Sequence, residues 1–287
     1  MQKPADLLLC VLCALSLATA ACGRDEPTAP AVATASLTLS KDKAAIGSPL
    51  SMTYKFEVAP NASFDADYAV FVHVIGPDGE TLWQDDHAPS TPTTQWKPGQ
   101  TIEYTRMVFI PNYPYIGDAT IRVGLYNPTT SRRLTLSGND AGRQEYVVGK
   151  PNLLPQAENV YLIYRDGWHN AEVDPGNPLT EWQWTKKAAT FAFKNPKRDA
   201  TFYIKYDARA DLFNPPQQVT IKVAGQTLTS FAADAKDPVL KTFPIAAAQF
   251  GDGDMTEIVV EVDRTFTAPG DARDLGIRVY HAFVEPK

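Results

Sequence analysis

The sequence contains little cysteine: three residues in a chain of 287, at positions 10, 13 and 22. Cys10 and Cys13 lie inside an apolar segment, Leu7–Ala21, which has the composition of a signal-peptide h-region and is too short to span a bilayer comfortably. We expect residues 1–21 to be removed as a signal peptide. Cys22 is then the single remaining cysteine, which excludes an intramolecular disulfide and a disulfide-stapled fold.

Positive charge is also sparse. The chain has 27 Lys and Arg against 33 Asp and Glu, a formal net charge of −6, and no basic cluster. Nucleic-acid binding needs concentrated Lys and Arg to contact phosphates, and a polybasic contact with anionic lipid needs the same. We therefore expect no nucleic-acid partner and no electrostatic attachment to a membrane surface.

Motifs for catalysis are missing as well. The sequence has no G-x-S-x-G nucleophile elbow, no H-E-x-x-H zinc motif, no P-loop and no dinucleotide fingerprint. We expect a non-enzymatic protein without a cofactor. One alternative stays open, because glycoside hydrolysis needs only a pair of carboxylates, and the 33 acidic residues could contain such a pair.

The end of the apolar segment resembles the lipobox of bacterial lipoproteins. Ala20–Cys22 fits that motif, although Thr19 stands where leucine is usual. The resemblance implies a lipid anchor on Cys22 and a place in the bacterial cell envelope. By resemblance to known sorting rules, Gly23 after the cysteine implies the outer membrane. Residues 22–36 are small and rich in Pro, Ala and Thr, which predicts a flexible tether.

Beyond the tether, apolar residues recur with a period of two, which predicts β-strands. Tyr68–Ile75 is continuously apolar and is predicted to be a central strand buried on both faces. Asp78-Gly79 predicts a two-residue hairpin turn built from positive-φ residues, which would pair His73 with Gln84. Short strands separated by polar turns predict a β-sandwich over residues 37–149.

The same pattern continues in the second half. Residues 150–156, with two prolines, predict a linker, and residues 157–287 predict a second sandwich. The best helix candidate, 246–250, covers only about one turn. The predicted fold class is therefore all-β, with two consecutive antiparallel β-sandwich domains after the signal peptide and tether. Strands of the second unit are predicted at 189–194, 201–206, 219–223, 239–245, 257–262 and 276–284.

Short motifs in the two units resemble known folds. The first resembles immunoglobulin-like sandwiches of bacterial envelope proteins, through Phe71–Gly79 (FVHVIGPDG), Trp96–Gly99 (WKPG) and Arg122–Tyr126 (RVGLY). The second resembles galactose-binding-like jelly rolls, a fold that often binds sugars through loops at one end. The motifs that carry this second resemblance are Gly167–Glu172 (GWHNAE), Trp182–Trp184 (WQW), Phe243–Phe250 (FPIAAAQF) and Asp274–Val279 (DLGIRV).

The candidate ligand-binding residues are Trp168, His169, Glu172, Trp182 and Trp184. In a strand, Trp182 and Trp184 would point to one face and could stack on sugar rings, with Glu172 accepting sugar hydroxyls. The competing interpretation is that both indoles fill the sandwich core, and this interpretation is favoured for Trp182 and Trp184. Trp168 follows a predicted turn, so core burial and exposure are equally open for it.

Two further clusters favour ordinary structural roles. The hairpin pairing would bring His73 near Asp85, Asp86 and His87, but no ligand-spacing motif supports a metal there, and His73 is expected to be a hydrogen-bonded core histidine. Gly251–Glu257 (GDGDMTE) could cap a calcium ion, although a solvated turn is favoured. We therefore predict no metal site.

Together these features predict a non-catalytic, lipid-anchored envelope protein that binds or scaffolds. The expected partner is a carbohydrate, such as a surface polysaccharide, or another envelope protein. Two alternatives remain: a glycan-active hydrolase with a carboxylate pair, and a structural or protein-interaction module that uses exposed sheet edges as docking strips.

Overall fold

The computed structural model describes residues 29–112 and 115–287 of the chain. It confirms the predicted fold class, because the described residues form mainly antiparallel β-sheets with only three single-turn 3-10 helices. The predicted signal peptide and Cys22 lie outside the described residues. Within the described ranges, no helix is both long and apolar enough to cross a membrane.

The first half of the chain forms a sandwich of two main sheets. One sheet has the order β1-β3-β6, and the other has the order β10-β11-β8-β4-β5, with β9 paired to β8. A small third sheet, β2-β12-β7, contains a parallel pair between β2 and β12. The strands are β1 Ala33–Leu39, β2 Lys43–Ala45, β3 Pro49–Val58, β4 Ala69–Ile75, β5 Thr81–Gln84, β6 Thr101–Phe109, β7 Gly117–Asp118, β8 Thr120–Tyr126, β9 Arg133–Leu134, β10 Asn139–Asp140, β11 Tyr146–Gly149 and β12 Asn152–Leu154.

The second half forms two five-stranded sheets, with orders β13-β16-β21-β18-β19 and β14-β15-β22-β17-β20. The predicted helix at 246–250 is present as the 3-10 helix Ala247–Phe250; the others are Thr93–Gln95 and Gln156–Glu158. The strands are β13 Ile163–Tyr164, β14 Glu172–Asp174, β15 Asn177–Trp184, β16 Ala188–Lys194, β17 Ala200–Asp207, β18 Gln217–Val223, β19 Gln226–Ala233, β20 Val239–Ile245, β21 Met255–Val262 and β22 Arg278–Pro286.

Each half has its own hydrophobic core, formed where strand alternation turns large side chains inward. In the first core, Met52 and Phe56 of β3 face Val72 of β4. As predicted, β4 is buried along nearly its whole length, with His73 the half-buried exception. The second core contains Phe191 of β16 with aromatic and branched residues of β17, β18 and β21.

Two predicted connecting segments contain strands. Residues 33–36 of the predicted tether belong to β1 and pair with β3. The alternation that begins at the buried Ala33 was hidden because alanine contributes only a weak hydrophobic signal. Residues 152–154 of the predicted linker form β12, in which Leu153 is buried beside Ala44 of β2.

The hairpin after β4 has a different turn from the one predicted. Its loop is the three residues Pro77–Gly79, closed by a bond from the Gly76 amide to the Glu80 carbonyl (2.9 Å), and Gly79 adopts a φ of +83°. Between Ile75 and Val74 the register shifts by one residue, because β5 has an extra residue at this point. This shift compensates for the longer loop. His73 therefore pairs with Gln84, as predicted.

The two sandwiches meet where Phe109, at the end of β6, packs on the outer face of β17 and β22. Its ring centroid lies 4.2 Å from that of His281 and 6.0 Å from that of Tyr203. Lys41 pairs with Glu285 at 2.6 Å, and the Tyr203 hydroxyl donates to the same carboxylate at 2.7 Å. An aromatic contact and a shared carboxylate thus join the two halves.

His281 predicts a pH dependence for this junction. Burial, together with the charge of Lys205, lowers the pKa of His281 from the ordinary 6.5 to about 4. The unfolded chain therefore takes up the proton first, so stability falls as the pH decreases from 6.5 towards 4. We expect the unfolding free energy of the wild type to drop by up to about 3 kcal/mol more than that of a His281→Gln variant over this range. Denaturant unfolding of both proteins at several pH values measures this difference. Parallel pH profiles of the unfolding free energy would contradict the prediction.

Candidate functional site

Trp182 and Trp184 lie on the face of β15 that points away from the sandwich core. Trp184 pairs with Arg278 of β22, and the Arg278 guanidinium lies 5.3 Å from the Trp182 ring centroid and 5.4 Å from that of Trp184. Trp184 is 8% exposed, so it is buried as expected, but it is covered by Arg278 and Phe266 rather than by the core between the sheets. Trp182 is half-buried.

Arg278 is fixed between the two indoles by a buried carboxylate. Its Nε and Nη2 atoms donate to the two oxygens of Asp207 at 2.7 and 2.6 Å, and Asp207 is only 1% exposed. The Tyr280 hydroxyl donates to the same carboxylate at 2.7 Å. Burial, and then the Asp207 charge, raise the pKa of Tyr280 above its ordinary range, so the hydroxyl remains a donor.

This arginine–aromatic cluster continues into neighbouring loops. Phe266 packs against Trp184 at 5.6 Å and against Phe213 at 6.2 Å, and Arg209 lies 5.7 Å from the Phe266 ring. Cation–π contacts of this kind stabilise by about 0.5–2 kcal/mol each. The cluster therefore packs loops against the sheet, and both indoles contact Arg278 instead of forming an open platform.

The side chains of the other predicted ligand residues are each held by groups of the protein. Trp168 packs against the second core, 4.6 Å from the Phe191 ring, and its Nε1 donates to the Thr190 carbonyl at 2.9 Å. His169 contacts the Asp274 carbonyl through Nε2 at 2.9 Å. His169 is also bonded to β15, because its backbone amide donates to the Trp184 carbonyl at 2.9 Å. Glu172 pairs with Trp182 across β14 and β15 and so shares a face with that indole. Its carboxylate is held by Arg273 at 2.6 Å.

The residues around the first hairpin already have partners within the first sandwich. Asp85 binds Arg106, with contacts of 2.8 and 3.0 Å, and Asp86 accepts the Val72 amide. His87 contacts the Asp85 carbonyl through Nδ1 and the Tyr104 hydroxyl through Nε2. Across the described ranges, no group of three or more His, Cys, Asp or Glu side chains is arranged to hold a metal.

The loop at 251–257 is held by two side chains, Lys197 and Asn195. The Lys197 ammonium donates to the carbonyls of Asp252 and Gly253, and the buried Asn195 amide donates to those of Gly251 and Gly253. These are the backbone oxygens that a calcium ion would need. The ammonium and amide already satisfy them.

A cleft of about 730 Å³ opens beside the junction between the two sandwiches. Tyr161 and Tyr164 line one side and are 78% and 42% exposed. The Tyr164 ring also packs against Trp168 and Phe191, with centroid distances of 4.9 Å to each. Partial burial and the neighbouring Glu181 carboxylate raise the pKa of Tyr164 to about 12, so its hydroxyl stays protonated. Glu181 itself is exposed in the cleft.

Three carboxamides converge at the other side of the cleft, next to Gly47. A Cβ atom at this position would lie 3.3 Å from Asn112 Oδ1, 3.6 Å from Asn159 Nδ2 and 3.7 Å from Gln156 Nε2. Gly47 also adopts a φ of +82°, which favours glycine. The Asn159 amide is fixed by donation to the Ile46 carbonyl at 2.8 Å. The cleft therefore presents two tyrosine rings, three amides and one carboxylate.

Sequence reasoning missed this cleft because its residues come from distant positions. Asn112 and Gly47 belong to the first sandwich, whereas Gln156 and Asn159 follow β12. The one available signal was the pair of tyrosines in Val160–Tyr164 (VYLIY), directly after the predicted linker.

The buried ion pair makes a stability prediction. Arg278→Met leaves the Asp207 carboxylate uncompensated, so we expect a loss of about 3 kcal/mol in the free energy of unfolding. Arg143→Met is the control, because Arg143 is exposed and forms no ion pair within the described residues, so its loss should be much smaller. Adding Asp207→Asn to Arg278→Met should recover part of the stability. Equal losses for the two arginine variants, by denaturant unfolding, would refute the assignment.

No protein-family model and no curated protein matches the sequence. Among solved structures, the chain is similar to a Bacteroides uniformis β-glucuronidase (10% identity, TM-score 0.30, 88% of this chain and 30% of that one). It is also similar to an Arthrobacter globiformis T6 isomalto-dextranase complexed with panose (11%, 0.26, 83% and 35%) and to the CBM51-2 and INT domains of Clostridium perfringens ZmpB (10%, 0.25, 60% and 38%). The chain spans about a third of the length of each of these structures. TM-scores at this level establish neither a family nor a function, so the functional assignment depends on the site geometry.

Proposed function

We propose that this protein is a non-catalytic, lipid-anchored envelope protein that binds carbohydrate in the cleft between its sandwiches. The observation that carries the proposal is the exposure of Tyr161 and Tyr164 beside a cleft with converging amides. The earlier candidates, Trp182 and Trp184, are already stacked on Arg278 and leave less ring surface for a ligand.

The lining groups match the chemistry of a sugar. A pyranose ring has apolar C–H faces, which can stack on aromatic rings, and hydroxyls along its edge. Carboxamides offer both donors and acceptors to such hydroxyls, and the Glu181 carboxylate accepts two. A few fixed polar groups on an otherwise packed surface are typical of small-molecule sites.

The cleft supports binding rather than hydrolysis. Glycoside hydrolysis generally uses two carboxylates separated by about 5–9.5 Å. Glu181 is the single carboxylate among the described residues that line the cleft. The hydrolase alternative therefore needs a site elsewhere.

The strand orders support the two fold resemblances. The first sandwich places β1-β3-β6 against β11-β8-β4-β5, which corresponds to the ABE and GFC arrangement of immunoglobulin-like domains. The second has two packed antiparallel sheets, as a jelly roll does, although each contains five strands. We infer that the second sandwich is galactose-binding-like, with its candidate cleft at the junction rather than at the Trp182 end.

The binding proposal predicts a specific loss for cleft variants. Tyr161→Ala should weaken binding to a glycan identified on a bacterial glycan array by roughly tenfold or more, because an anchoring aromatic contributes about 1–2 kcal/mol. Leu212→Ala is the control, since this side chain is also exposed, at 48%, but lies outside the cleft. A silent array, or equal effects of the two substitutions, would refute the proposal.

The anchor proposal rests on Cys22. We expect the wild type to incorporate an alkyne-tagged fatty acid and to partition into the detergent phase of a Triton X-114 extract, because buried acyl chains supply membrane affinity. Cys22→Ser should abolish both signals, whereas Cys13→Ser should retain them. Fractionation of the two membranes tests the outer-membrane location, and unchanged labelling of Cys22→Ser would disprove lipidation at this residue.

A further inference from the structure

A second groove adjoins the cleft on the other side of Tyr161. Its volume is about 480 Å³, and it shares Asn159, Val160 and Tyr161 with the cleft. Tyr161 therefore stands on the wall between two depressions and is accessible from both. The remaining lining residues are Glu158, Ile163, Lys194, Asn195, Pro196, Arg198, Met255 and Pro286.

The charge of this groove is opposite to that of the whole protein. Lys194 and Arg198 are both exposed, and neither forms an ion pair within the described part of the chain. Glu158 is the one carboxylate among its described lining residues. The chain as a whole carries a formal charge of −6, so a polyanion is repelled overall and must be held by a local cationic site.

The groove also offers apolar surface between the two cations and the tyrosine. Met255, which pairs with Lys194 across β16 and β21, is 48% exposed. Pro196 lies between Lys194 and Arg198 in the loop that follows β16. The guanidinium of Arg198 can bind a carboxylate through two parallel hydrogen bonds, whereas Lys194 acts as a point charge.

We propose that the carbohydrate bound by this protein is an acidic polysaccharide that crosses Tyr161. One sugar lies in the cleft against Tyr161 and Tyr164, and the acid groups of its neighbours contact Lys194 and Arg198 in the second groove. This inference rests on the proposed function and extends it, because it assigns the ligand class and a second set of contacts.

The test uses gels that contain an embedded polymer. The probes are polygalacturonate, its carboxyl-reduced neutral counterpart, and dextran sulfate as an anion without uronic acid. We expect polygalacturonate to retard the protein strongly at low salt and weakly at high salt, and the reduced polymer to retard it less. Retardation by dextran sulfate alone would assign the acid as a sulfate or similar oxyanion and would overturn a uronate ligand.

Matched variants separate local contacts from overall charge. Lys194→Gln/Arg198→Gln should weaken retardation by polygalacturonate roughly fivefold to tenfold and flatten its salt dependence. Lys186→Gln/Lys187→Gln makes the same change in net charge on exposed lysines at the opposite end of β16, and it should behave as the wild type.

The outcomes distinguish this inference from the function on which it rests. Equal binding of the acidic and reduced polymers, with a loss only in Tyr161→Ala, overturns the acidic ligand and leaves carbohydrate binding intact. Equal weakening by the two double variants overturns the groove as the contact site. No retardation by any polymer, combined with a silent glycan array, overturns both proposals.

Discussion

The packing of Phe109 on the outer face of β22 determines where the candidate site lies. Each sandwich buries its own core, so neither needs the other to hide its large apolar side chains. The junction consists of a small aromatic contact and the carboxylate of Glu285. This carboxylate binds Lys41 of the first sandwich and Tyr203 of the second. The cleft exists because this contact covers only part of the sheet face and leaves the segment at 156–164 beside an opening.

The outer face of the β14-β15-β22-β17-β20 sheet makes two different sets of contacts. Near the middle of β17 and β22, Tyr203, His281 and Phe283 face the first sandwich. Towards the other end, Asp207 and Arg278 organise an arginine–aromatic cluster. An outward-facing sheet surface is normally polar, because it meets water. Here both regions of this face carry large aromatic rings. The outer faces of β15 and β22 therefore resemble those of strands that are buried on both sides.

Sequence patterns determined most of the fold and little of the site. A continuous apolar run located β4, and the predicted hairpin gave the correct His73–Gln84 pairing because a register shift compensates for a loop that is one residue longer. Alternation failed where small residues carry it, as in Ala33–Leu39. It favoured the wrong side of β15, because the tryptophans point away from the core, whereas Gln183 pairs with the core residue Val279. The cleft combines residues more than 100 positions apart, and one sequence contains no signal for that proximity.

The segment between the two sandwiches has a mechanical consequence. β12 is hydrogen-bonded to β2 on one side and to β7 on the other, and the Asn159 side chain is then bonded to the Ile46 carbonyl. These contacts attach the connecting segment to the first sandwich from Asn152 to Asn159, which leaves three residues before β13 begins at Ile163. The proposed ligand would therefore meet a connecting segment that is already ordered, and ordering this segment would add little to the free-energy cost of binding.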